Sequence, residues 1–203
     1  MTLGTLFGNF ITTFIIIKVR KLELNQHMCW LYDDHAQPLS VQTGDGVPFR
    51  LPYKHKQLVN VDFSSAPFNI EDLTLLQNFV DVLEGYSAEE IGTSLEHAAL
   101  CAAAFVRFGC PQMPQSWHFQ KSNIEEWAPE RHICELNSGF DDGLCLIIDR
   151  DEEFASCLLL SGDMQLSPIK TLKQYHVIKV LHNRLLPSTL EMRQTMLSNQ
   201  RLA

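Results

Sequence analysis

Apolar and polar positions alternate with period two over three stretches near the start of the chain, then switch to a helical period. Cys29-Trp30-Leu31-Tyr32 and Leu39-Ser40-Val41 read as strands, with Asp33-Asp34-His35 as the turn between them. Gly44-Asp45-Gly46 is a strong turn signal, and Val47–Leu51 reads as the next strand, so Met28–Arg50 is expected to be a β-meander. Asn69 is placed to cap a helix over Ile70–Leu83, with Glu71 and Asp72 at its positive end and Leu73, Leu76, Phe79, Val80 and Leu83 as the apolar stripe. Ser87-Ala88-Glu89-Glu90 is a capping box, and Ile91, Leu95, Ala98, Ala102 and Phe105 continue a helical spacing to Gly109. The low bulk of Ala98–Ala104 would let another element approach that helix closely.

The second half repeats the order of strands and then helix. Arg131–Leu136, Leu144–Ile148 and Phe154–Leu160 are strand-like runs separated by Gly- and Asp-rich turns, with a short fourth strand at Asp163–Leu166. Ser167-Pro168 reads as a helix start, and the helix is expected to run to Leu186, where Pro187 stops it. The fold class is therefore α+β: two small fused domains, each an antiparallel meander with packed helices. Residues 1–19 form an apolar extension, 20–115 the first domain, 116–187 the second, and 188–203 a tail.

Composition changes this picture little. The chain has 203 residues and is 45% hydrophobic, enough for a sizeable core. Its net charge of −8 disfavours nucleic acid, whose binding depends on Lys and Arg neutralising phosphates. The six cysteines form no CxxC pair and several sit inside apolar runs, which fits buried thiols in a reducing compartment. Leu3–Ile17 is apolar and is followed by Lys18, Arg20 and Lys21, but it is short for a bilayer-spanning helix and has no basic residue ahead of it. It reads as a weak membrane anchor, an extra packed element, or sequence upstream of a true start near Val19 or Met28. The last reading is preferred.

Sites for chemistry are sparse. No nucleophile elbow, P-loop, dinucleotide fingerprint or zincin helix occurs. His97 with Cys101, and His132 with Cys134, could supply zinc ligands or a reactive thiol if two separate elements converged; this is the enzyme alternative. The stretch from Pro168 to Pro187 carries Lys170, Lys173, Lys179 and Arg184 and no acidic residue, which on a helix makes a positive face for an acidic partner. Lys54 and Lys56 would join that field only if the fold brought them there. Trp30, Tyr32, Leu39, Val41 and Phe49 of the first meander are core in the plain reading. In the functional one they are an apolar groove for a short peptide.

Pro111-Gln112-Met113-Pro114-Gln115-Ser116-Trp117-His118-Phe119 is the most distinctive stretch: two prolines, then a Trp and a Phe, directly after the predicted helix. It resembles the PQMPKSWHF-type signature of the ZapC cell division proteins, differing at Gln115. Trp30–Asp33, Gly46, Phe49-Arg50 and Ile178–Pro187 resemble further family segments in the same order, covering residues 20 to 187. The resemblance implies a cytoplasmic, non-enzymatic protein at the mid-cell division ring. Such a protein binds FtsZ directly, stabilises its polymers, promotes lateral association of protofilaments and lowers its GTPase activity. It implies no cofactor, no metal and no small-molecule substrate. Cys110 and Gln115 stand where the family is often basic, and the first residues, to about position 18, have no family counterpart.

Overall fold

A computed structural model describes residues 28–44, 46–124, 127–188 and 190. The apolar Leu3–Ile17 segment and most of the tail lie outside these residues. The first meander forms as expected: β1 (Met28–Tyr32), β2 (Leu39–Thr43) and β3 (Phe49–Arg50), joined by β4 (Ser65–Pro67), make an antiparallel sheet in the order β3-β2-β1-β4. Trp30 stands opposite Val41, and Tyr32 opposite Leu39.

Helix α1 (Ile70–Glu84) is capped as the sequence predicts. Asn69 Oδ1 accepts from the Asp72 amide at 2.8 Å, and Asp72 Oδ2 accepts from the Asn69 amide at 3.0 Å. The Ser87 box is also present, but it opens only a single turn, α2 (Ala88–Ile91). Gly92 ends that turn at φ +75°, a left-handed conformation glycine adopts without strain. Ser94 then caps a separate helix, α3 (Leu95–Phe108). The expected continuous helix is therefore two, because Gly92 and Ser94 form a stop and a start within one turn of each other.

The second sheet contains β5 (Ile133–Asn137), β6 (Asp142–Arg150), β7 (Phe154–Leu159), β10 (Val177–Leu181) and β11 (Leu186–Pro187), in the antiparallel order β10-β7-β6-β5-β11. A hairpin of β8 (Met164–Ser167) and β9 (Lys170–Leu172) stands apart from it. The helix expected from Pro168 to Leu186 does not form. Val177, Ile178 and Val180 are β-branched and are buried on alternate faces of the edge strand β10, and Tyr175 sits at φ +61°, which no right-handed helix accommodates. Ser167 and Pro168 belong to a hairpin turn, where Ser167 Oγ accepts from the Ile169 amide.

The near-continuous apolar runs of β6 and β7 follow from burial on both faces. Leu146, Ile148, Leu158 and Leu160 face α3 and join the core of the first sheet. Cys145, Ile147, Cys157 and Leu159 face the other way, into a second core with Phe119, Trp127, Met164 and Leu166. Helix α3 is thus the shared middle layer. Every residue from Ala98 to Phe105 is buried, and the alanines let α1 pack closely alongside and β6 approach from the second sheet. The molecule is α+β, two small domains fused through one helix.

Candidate partner-binding surface

Helix α3 ends where the distinctive stretch begins, and the reason for Gly109 is steric. A Cβ there would lie 2.5 Å from the Phe105 carbonyl oxygen and 2.7 Å from the Phe105 ring. Backbone bonds from Val59 to Phe108 (2.8 Å) and from Cys110 to Gln57 (2.8 Å) keep the chain on the first domain up to residue 110. From Pro114 onward it is held by β10. The Gln115 amide donates to the Lys179 carbonyl at 2.8 Å, and the Leu181 amide donates to Ser116 Oγ at 2.8 Å. Pro114 meets Lys179 in a parallel bridge, a place at a sheet edge where its missing N–H costs nothing.

The aromatic residues of the stretch divide between two roles. Phe119 is buried in the second core, and its carbonyl accepts from Arg184 Nη1 at 3.3 Å. Trp117, on a short 3-10 turn over Ser116–His118, is 72% exposed, and Met113 is 79% exposed. Phe119 is therefore packed, whereas Trp117 presents its ring to solvent. Gln112 closes the local turn by donating to the Cys110 carbonyl at 2.9 Å. His118 Nε2 lies 3.0 Å from Lys170 Nζ; burial first, then that ammonium, lower its pKa.

The residues of the expected groove also divide. Trp30, Leu39 and Val41 are fully enclosed, with Trp30 stacked on Phe68 at 4.2 Å and edge-on to Phe108 at 5.0 Å. Tyr32 and Phe49 are half-buried at the sheet margin: Tyr32 Oη lies 3.1 Å from His55 Nδ1, and Phe49 stacks on His97 at 4.1 Å. Trp30, Leu39 and Val41 are therefore floor, and only Tyr32 and Phe49 reach the surface.

The basic residues do not share a helical face, since the helix is absent. Lys173 is bound to Asp163 at 2.5 Å and Lys179 to Asp151 at 2.7 Å, with Lys179 also over the Phe154 ring at 5.2 Å. Arg184 serves the Phe119 carbonyl. Lys170 Nζ donates to Gln115 Oε1 at 2.6 Å and has no acidic partner among the described residues. The fold does, however, bring Lys54 and Lys56 to the same cleft as Lys170 and Lys173, a cavity of about 340 Å³ at the seam between the domains.

The possible zinc or thiol ligands are not brought together. Cys101 lies in the first core, where burial pushes its thiol pKa up, and Cys134 lies in the second. His97 is engaged with Phe49. His132 has a lowered pKa, from burial first and then the Arg150 charge. Among the described residues no group of three or more His, Cys, Asp or Glu could hold a metal ion.

Comparison with known proteins settles the family. Residues 21–108 match the model of the N-terminal domain of cell-division protein ZapC, and residues 111–191 match that of its C-terminal domain. The chain belongs to the ZapC family. It is 53% identical over 178 residues to the cell division protein ZapC of Idiomarina loihiensis, covering 88% of this chain and 97% of that one. The ZapC proteins of Aeromonas hydrophila (31% identical; 82% and 92% of the two chains) and Shewanella oneidensis (34%; 78% and 89%) are further relatives. The ZapC match thus spans both domains, and the Pro111–Phe119 stretch opens the segment matched by the C-terminal model.

Proposed function

We propose that this chain is a non-enzymatic cell division factor that binds FtsZ directly. It stabilises FtsZ polymers, promotes lateral association of protofilaments and lowers FtsZ GTPase activity, acting in the cytoplasm at the mid-cell ring. The observation that carries this reading is ZapC family membership over both domains. Tyr32 and Phe49 are the accessible members of the N-terminal surface, supported from below by Trp30, Leu39 and Val41. Trp117 offers a second exposed ring, of the kind that anchors interfaces. Lys170 is the basic residue left for an acidic partner, whereas Lys173, Lys179 and Arg184 are engaged within the fold. Two separate surfaces on one monomer would suffice to bridge protofilaments.

Among the described residues no helix is long and apolar enough to cross a membrane. The test of function is sedimentation of FtsZ with GTP in the presence of the protein. The expected result is enrichment of both proteins in the pellet together with slower phosphate release. Absence of the protein from the pellet and unchanged phosphate release would refute the reading.

A further inference from the structure

The cleft at the domain seam has a charge the rest of the molecule does not predict. In a chain of net charge −8, its lining includes Lys54, Lys56, Lys170 and Lys173 and no carboxylate. Lys173 is neutralised by Asp163, but Lys54, Lys56 and Lys170 form no ion pair with any described residue. These lysines come from both domains, so only the tertiary structure assembles them. His176 on the same wall registers the field. Its pKa is held down by burial first and then by the ammonium of Lys54 from the other domain, against the opposing pulls of the Gln174 and Lys173 backbone and of the Asp163 carboxylate. Like charges gathered in one concavity repel each other, and an anionic occupant relieves that repulsion.

A second observation concerns backbone. Among the described residues strand β9 pairs with β8 and with no other strand, and all three of its residues, Lys170, Thr171 and Leu172, line the cleft. A sheet edge of this kind can accept an additional extended strand. Leu172 and Val177 add apolar wall between the charges. The lining contains no Arg and no N-terminus of an α-helix, the groups that converge on a compact phosphate; Lys54 caps only the three-residue 3-10 turn His55–Gln57. The acidic molecule as a whole repels a nucleic acid backbone.

We propose that the seam cleft binds an acidic peptide in extended conformation, laid along the β9 edge with its carboxylates among Lys54, Lys56 and Lys170. Because the lysines belong to both domains, an occupant ties the domains together. The proposal does not depend on FtsZ being the partner, and its test contains no FtsZ.

The probe is a short fluorescein-labelled peptide alternating Glu and Val, titrated with the full chain and followed by anisotropy at low and at physiological salt. The expected result is saturable binding that weakens as salt rises, and that weakens by about tenfold or more in Lys54→Glu and, separately, in Lys170→Glu. Lys54→Gln and Lys170→Gln should give smaller losses in the same direction, and thermal melts of all four variants confirm that they fold. Three results would overturn the proposal: no binding to the parent protein, binding unchanged in both charge-reversed variants, or equal binding of a single-stranded oligonucleotide of matching charge.

Discussion

Single side chains in this molecule separate into those that hold the fold and those that face a partner, and two tryptophans show the difference. Trp30 is 1% exposed and contacts Phe68 and Phe108. Trp30→Ala should cost about 3–5 kcal/mol, seen as a lower denaturant midpoint with an unchanged slope. Trp117→Ala removes a ring that is already in water, so its midpoint should stay within about 0.5 kcal/mol of the parent while FtsZ co-sedimentation falls. A drop in both would place Trp117 in the fold rather than on the binding surface. Two exposed carboxylates carry a pH dependence. Asp33 beside Arg50, and Asp151 beside Lys179, have their pKa lowered from 3.8 to about 2, chiefly by those side-chain hydrogen bonds. A folded-state pKa below the unfolded value stabilises above the unfolded pKa and is lost as pH falls through the folded one. The melting temperature should therefore decline between about pH 4 and pH 2, and decline less steeply in Asp33→Asn and Asp151→Asn.

Elements form where local signals and packing agree, and the junction between α2 and α3 shows how short those signals can be. Gly92 in a left-handed conformation and Ser94 as an N-cap divide what apolar spacing alone reads as one helix. Gly92→Ala and Ser94→Ala should each destabilise by about 1 kcal/mol in chemical denaturation, the first through strain at positive φ and the second through loss of the cap. No loss in either would mean that the junction is set by packing instead. The caps of α1 and α2 were legible in the sequence because each lies within four residues. Strand β10 was not. Lys, Gln and Leu form helices readily, and what opposes this is the pairing of Val177–Leu181 with β7, whose partner residues run from Leu158 back to Phe154.

At the scale of the whole molecule, α3 and the Pro111–Phe119 stretch set the geometry. Helix α3 is covered on two sides, and the stretch that follows leaves the first domain at Cys110 and fastens to β10 by Gln115 and Ser116. Thr93 and Tyr175 bond through their hydroxyls, adding a second tie between the halves. Leu100 and Cys101 lie in that shared layer with the alanines, so Ala102→Leu should be strongly destabilising, by about 1–3 kcal/mol or more, and should lower the melting of both domains together in a single transition. Two resolved transitions would show that the domains fold independently.

The sequence by itself determined the two meanders, the caps at Asn69 and Ser87, the family and the distinctive stretch, because each is written in residues close together along the chain. Tertiary structure decided the rest. It turned the basic segment from a helix into strands, enclosed Trp30, Leu39 and Val41, and left Trp117 in solvent. It also placed Lys54 and Lys56 opposite Lys170. Burial and charge proximity depend on which elements lie across from each other, and local pattern carries no record of that.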